Sequence, residues 1–292
     1  LKGGRMVGRW GDVGRVDMTF SIAKSYLAIL AGLAIGDGLI GDIDDAVGDS
    51  VPGETFASEH NRAITWRHLL TQTSEWEGTL WDKPDLVDRH RQVGEGSDNS
   101  RKGEHRDLQA PGTYWEYNDV RVNVLSLALL HVFRRPLPEI LKHRVMDPIG
   151  ASGNWIWHGY RNSFVEIDGE RMQSVPGGTH WGGGIQISTF DHARFGLFVH
   201  RDGVWDGQRL LPEGWVDALR APSSVNAGYG YLWWLNTGHQ MWPAASEATY
   251  SASGAGNHLI CIDPDHDLVI VARWIDKDAV GGLVTHVIEA LA

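Results

Sequence analysis

Of the 292 residues only Cys261 is a cysteine, which excludes an intrachain disulfide and a thiolate metal cluster. It lies in "HLICIDP" and reads as a buried structural thiol on a strand. Long apolar runs are missing as well. No stretch reaches the roughly 18 apolar residues that a membrane-spanning helix needs, and the longest, around residues 26–35, is interrupted by glycine. Nor is there a basic run: the net charge is −11 and the isoelectric point about 5.6, which argues against nucleic acid or an anionic membrane surface as a partner. Several catalytic signatures are also absent, among them G-x-S-x-G, H-E-x-x-H, a Walker loop and a G-x-G-x-x-G between strand and helix. The segment "GGTHWGGG" leads into a strand rather than a helix, so it is not expected to cradle a phosphate. The 14 histidines are scattered singly and "DPDHD" reads as a solvated turn, so neither a metal nor a cofactor is expected.

What the chain does have is an ordinary globular composition, 42% hydrophobic and 22% charged. Its length suits one large domain or a domain with a sizeable insertion. An apolar, Ala- and Leu-rich helix is predicted over residues 21–35, and shorter ones at 65–73, at "VRVNVLSLALLHVFRR" and at "LPEILKHRVMDPI". Residues 83–110 form a long polar segment without a periodic pattern, of the kind that is functional or mobile. From residue 155 short strands appear, and "LICIDPDHDLVIVAR" is a strong hairpin signal, two apolar runs around Asp-Pro-Asp-His-Asp. The expected fold class is α/β: an antiparallel sheet flanked by helices, contributed by residues 1–40 and 181–292, with a mostly helical lobe inserted at 41–180, the whole forming one catalytic unit. The chain opens on Leu1 rather than methionine, so a signal peptide or extra strands upstream fit the reading, and the compartment stays open between cytoplasm and periplasm.

One stretch, "TFSIAKSYLAILAGLAI" at residues 19–35, places a lysine three residues after a serine at the head of an apolar helix. Side chains three apart on a helix are neighbours, so the Ser21 hydroxyl faces the Lys24 amine. Two readings stand. Ser21 caps the helix while Lys24 reaches out to solvent, or the pair is a nucleophile beside its base. Further along, "APGTYWEYND" supplies Tyr117, Asn118 and Asp119 just before a helix, and "YSASGAGNH" supplies Ser253 and Gly254 on a strand.

In this order the three segments resemble the S-x-x-K, Tyr-x-Asn and Lys-Thr-Gly motifs of the β-lactamase-related serine hydrolases. That family includes class C-type β-lactamases, penicillin-binding D,D-peptidases, family VIII esterases and hydrolases of aminohexanoate oligomers. The resemblance runs from about residue 8 to the end and extends to "WRHLLTQTS", "LLPEGWV", "YGYLWW" and "IDPDHDLVIVAR". It implies the β-lactamase-like fold and acyl transfer to Ser21. Lys24, its pKa lowered by burial, or Tyr117 would be the base, Tyr117 would donate to the leaving group, and the oxyanion hole would be formed by the backbone N–H groups of Ser21 and Ala255. Gly254 would let the substrate approach the strand closely.

Two departures matter. Asp119 stands where the family usually has Asn, so either Asn118 makes the hydrogen bonds, or a charged Lys24 acts electrostatically and Tyr117 is the base. At the third motif Ala252-Ser253-Gly254 lacks the lysine that binds a substrate carboxylate; His258 or Arg121 would be the substitutes. The expected substrate is therefore a small ester or amide, with an esterase first and a β-lactamase or D,D-peptidase as the alternative. A catalytically silent binding module is the alternative from another class, and a homo-oligomer is allowed. Trp115, Trp181 and Trp234, among the 14 tryptophans, lie beside motif segments and are candidates to line an apolar pocket.

Overall fold

The computed structural model describes residues 1–94, 96–178 and 183–291. In chain order its main elements are β1 (Asp17–Met18), α1 (Ala23–Gly36), α2 (Asp119–Phe133), β2 (Ile156–His158), β3 (Gly184–Ile187), α3 (Thr189–His200), β4 (Trp234–Leu235), β5 (Tyr250–Gly254), β6 (His258–Asp263), β7 (Leu268–Ala272) and α4 (Val280–Leu291). Strands β4 to β7 form an antiparallel sheet in sequence order. β6 and β7 pair as the predicted hairpin, Leu259 opposite Ala272 and Asp263 opposite Leu268. β1, β3 and β2 form a second antiparallel sheet with β3 in the middle.

Alternation along the strands decides what covers each face. Ile260, Ile262 and Val269 join the main core, which includes α1 and α2. Leu259, Cys261, Leu268 and Ile270 point the other way, onto Val284 and Ile288 of α4. Both faces are thus buried, and the strands read as continuous apolar runs rather than as polar–apolar alternation.

α1 is buried almost all round, as its composition requires. Its Gly32 lets the Trp215 indole lie against the helix, where any side chain would collide with the ring. From there the indole N–H donates to the Ala28 carbonyl, 3.1 Å away. The stretch 41–180 is less uniformly helical than composition suggests: β2 pairs with β3, and Phe164–Ile167 with Glu170–Gln173 makes a separate hairpin. The "GYGYLWWLNT" segment contributes only the two residues of β4 as strand. No helix among the described residues is long and apolar enough to cross a membrane.

Candidate active site

Ser21 sits where the second sheet hands the chain to α1. The Thr19 N–H donates to the Ile185 carbonyl at 2.8 Å, and residues Phe20–Ile22 then make a single 3₁₀ turn before α1 starts. The helix therefore begins two residues later than predicted. Its N-cap position is Ile22, which makes no side-chain cap bond, so the Ser21 hydroxyl is not spent on capping. Its Oγ accepts from Lys24 Nζ at 2.8 Å.

Phe20, just ahead, has a left-handed backbone with φ of 52°, a strained conformation for a bulky residue that costs about 1–3 kcal/mol. Its ring is held edge-on by His258 at 5.5 Å and Trp274 at 5.8 Å. Behind the turn, Thr19 Oγ1 and His192 Nε2 are hydrogen-bonded at 2.6 Å, and His192 Nδ1 meets the Tyr26 hydroxyl at 3.0 Å. Burial, with Arg273 and His258 nearby, lowers the His192 pKa well below the usual value, so this imidazole is neutral.

Lys24 does not reach solvent. It is buried, donates to the Gly177 carbonyl at 3.3 Å and pairs with Asp119 Oδ1 at 2.6 Å. Burial is the largest influence on its pKa and lowers it, but Asp119 and Tyr117 outweigh that, and the net shift is upward. The expected lowering of the Lys24 pKa is thus overturned. A carboxylate in contact stabilises the ammonium more than burial disfavours it, and Lys24 stays charged across the neutral range.

The second motif divides its labour. Asn118 is buried and caps α2, its Oδ1 accepting from the Val120 and Arg121 N–H groups while Nδ2 donates to the Asp85 carbonyl. Its polar atoms are committed to the backbone, which corrects the reading in which Asn118 hydrogen-bonds at the nucleophile. Asp119 instead faces the site. Tyr117 brings its ring to 4.7 Å from Lys24 Nζ and stacks on Trp234 with centroids 5.6 Å apart. Trp115 and Tyr229 complete an aromatic wall, edge-on to Trp234 at 6.1 and 4.9 Å.

A cation missed by the sequence reading joins them. Arg91 pairs with the second oxygen of Asp119 at 2.9 Å, and its guanidinium lies 5.0 Å from the centre of the Tyr117 ring. The only signal in the sequence was the length and polarity of the 83–110 segment.

At the third motif, Gly254 closes β5 against the nucleophile's turn. A Cβ there would press into the Thr19 carbonyl oxygen and lie 3.3 Å from the Ser21 nitrogen. The glycine thus serves the approach of one part of the chain to another. Ser253 is half-buried at the strand end and Ala255 exposed in the turn that follows. Trp181 lies outside the described residues. No group of three or more His, Cys, Asp or Glu side chains that would hold a metal gathers among the described residues. A cavity of about 340 Å³ opens elsewhere, between Trp10, Phe190, Val271 and Trp274; Ser21, Lys24 and Tyr117 do not line it.

Residues 16–274 match the family model described as Beta-lactamase. This chain belongs to the β-lactamase family. Solved structures with the same fold include a β-lactamase from Mycobacterium bovis, 18% identical with a TM-score of 0.64, the match covering 100% of this chain and 91% of that one. EstCE1, described as a hydrolase with promiscuous acyltransferase activity, is 16% identical with a TM-score of 0.65, covering 95% and 85%. A D-stereospecific amidohydrolase from a Streptomyces species is 17% identical with a TM-score of 0.59, covering 93% and 87%. No curated protein matches the chain in sequence.

The third motif, Ala252-Ser253-Gly254, carries no charge. Ala252 is buried in the main core, and neither expected substitute for the lysine serves. Arg121 is buried and committed to Glu75 at 2.7 Å, with Asp85 and Glu116 at 3.3 Å. His258 is buried, and burial together with Arg273 pushes its pKa down to about 4. It is uncharged at neutral pH and accepts a hydrogen bond from Arg273 Nε at 3.2 Å.

Proposed function

We propose that the protein is a serine hydrolase that forms an acyl-enzyme on Ser21 and prefers uncharged esters. The observation that carries this reading is the Ser21 hydroxyl held at 2.8 Å by a charged, buried Lys24. Ser21 Oγ attacks the ester carbonyl as its proton passes to Tyr117, which acts in the phenolate form with the Lys24 ammonium as its counter-charge. Lys24 remains an ammonium throughout, stabilising the phenolate before the transfer and the negative charge developing on Oγ during it. The backbone N–H groups of Ser21 and Ala255 receive the oxyanion. As the C–O bond breaks, Tyr117 returns the proton to the departing alkoxide, and water then hydrolyses the acyl-enzyme by the same route.

The preference for neutral substrates follows from the charges. Arg91 and Lys24 are paired with Asp119, Arg121 with Glu75, and His258 is neutral. A substrate carboxylate would find no free partner among them. The aromatic wall of Trp115, Tyr229 and Trp234 suits an apolar acyl group. The hydrolase and amidohydrolase neighbours support the same class of reaction.

A fluorophosphonate probe tests the nucleophile: labelling is expected at Ser21 and lost in Ser21→Ala. Side-by-side kinetics on p-nitrophenyl esters, amides and a chromogenic cephalosporin test the preference. Esters are expected to exceed the cephalosporin in kcat/KM by roughly one to two powers of ten, the cost of an unpaired carboxylate. Labelling at another serine removes the proposal, and a cephalosporin better than the esters reverses the preference.

A further inference from the structure

We propose that Arg91 is a positioning residue of this site, holding the outer oxygen of Asp119 and lying against the Tyr117 ring so that both keep their places beside Lys24. The inference rests on the serine-hydrolase reading above and adds a residue that no motif contains.

Geometry carries it. Asp119 is shared: one oxygen is 2.6 Å from Lys24 Nζ and the other 2.9 Å from Arg91. The two cations approach the Tyr117 ring at 4.7 and 5.0 Å. The Arg91 side chain is 21% exposed, and its charge is already committed to Asp119 and to Asp88, 3.4 Å away. It therefore orders the site's own groups and is not an anchor for a substrate carboxylate. Asp88 in turn pairs with Lys102 at 3.1 Å and accepts from the Asp119 N–H at 2.9 Å. The groups facing Lys24 are thus Ser21, Asp119, Tyr117 and Arg91, and those facing Arg91 are Asp119, Asp88 and Tyr117.

The backbone is built to deliver this side chain. His90 has a left-handed φ of 58°, and its N–H donates to Glu116 Oε1 at 2.8 Å. Arg89 is tied to Asp85 at 2.9 Å and to the Arg106 carbonyl at 2.8 Å. A non-glycine residue in that conformation persists only where its surroundings over-determine it, and such residues cluster at functional sites. With alanine at position 252, Arg91 is the second cation beside Tyr117. A nearby cation favours the deprotonated form of its neighbours, and Arg91 is among the groups that restrain the upward shift of Lys24. Tyr117, the group that takes the Ser21 proton, lies against Arg91, so losing this cation disfavours the form of Tyr117 that accepts it.

The test is the pH profile of Arg91→Met and Arg91→Lys on a p-nitrophenyl ester, with circular dichroism to show that each variant is folded. For Arg91→Met, kcat is expected to fall about tenfold to a hundredfold with KM changed less than about threefold, and the acid limb to move to higher pH. Arg91→Lys is expected to recover part of both. Arg91→Gln takes the place of Met if Met does not fold. A folded neutral variant with the wild-type kcat and profile, a loss confined to KM, or a Lys variant no better than the neutral one overturns the proposal. Failure of the hydrolase reading is told apart because wild-type protein would then show no labelling at Ser21 before any substitution is made.

Discussion

Ser21 is approached from two sides that are held by different physics. On one side the chain is held by close packing: Gly254 admits the Thr19 carbonyl, Phe20 is wedged between His258 and Trp274, and α1 runs back into an apolar core. On the other, the segments carrying Tyr117, Asp119 and Arg91 are held by charge. Glu75, fully buried, takes Arg106 at 2.6 Å and Arg121 at 2.7 Å, and Arg106 also takes Glu116 at 2.8 Å. Arg121 reaches Asp85, which in turn binds Arg89 at 2.9 Å. Packing places the nucleophile within a narrow tolerance but adds no charge. The ionic side needs every partner present, since a buried charge left alone is costly, and in return it sets the electrostatics around Lys24.

The contrast is broken most severely from the ionic side. Glu75→Ala leaves Arg121 buried with part of its compensation gone, and a loss of about 3–5 kcal/mol in unfolding free energy is expected. Denaturant titration checks it, and a loss under about 1 kcal/mol would mean that the ionic cluster is not what holds this side. Added salt should restore little, because a buried pair is poorly screened.

Acid separates the two sides in a different way. The folded-state pKa of His258 is pushed down to about 4 from an ordinary value of 6.5, so the unfolded chain takes up this proton first as pH falls. Stability should therefore decline between about pH 6.5 and 4, by on the order of 3 kcal/mol from this residue. Glu75 works in a lower window. Burial raises its pKa, but Arg106 and Arg121 outweigh that and hold it below the ordinary value of 4.5, so its contribution is present above pH 4.5 and is lost only as pH falls below it. Unfolding free energies from pH 7 to 4 should fall less steeply in His258→Gln, the remaining slope including the buried His192, whose pKa is also held well below its ordinary value; an unchanged slope would show that His258 does not titrate there.

The smallest expected effect is Gly254→Ala. Its Cβ must displace the Thr19 carbonyl or the strand, at a cost of roughly 1–3 kcal/mol. Ester hydrolysis should fall along with stability, since the same displacement moves the Ser21 turn. Full activity with reduced stability would uncouple that packing from the placement of the nucleophile.

Much of this was legible locally. Ser21 and Lys24 face each other because three residues make nearly one helical turn, a property of backbone geometry. The β6–β7 hairpin follows from two apolar runs around a turn-forming Asp-Pro-Asp-His-Asp. Asn118 stands before an apolar helical run in the position that a cap takes, although a family motif drew attention to it for another purpose. Composition and the order of motifs were enough for the fold class and for the candidates Ser21, Lys24 and Tyr117.

Tertiary structure alone decided the charges. Whether Lys24 is a neutral base or an ammonium depends on Asp119, which the fold sets 2.6 Å away. Arg91 meets Asp119 only because the 83–110 segment is tied down by Glu116 and by the Arg89 ion pair. Arg121 and His258 looked like available cations until burial spent one on Glu75 and kept the other neutral. Side-chain spacing along a helix or strand is a short-range property that a sequence carries with it. Ionisation depends on desolvation and on charges brought close from distant parts of the chain, and those distances exist only once the chain has folded.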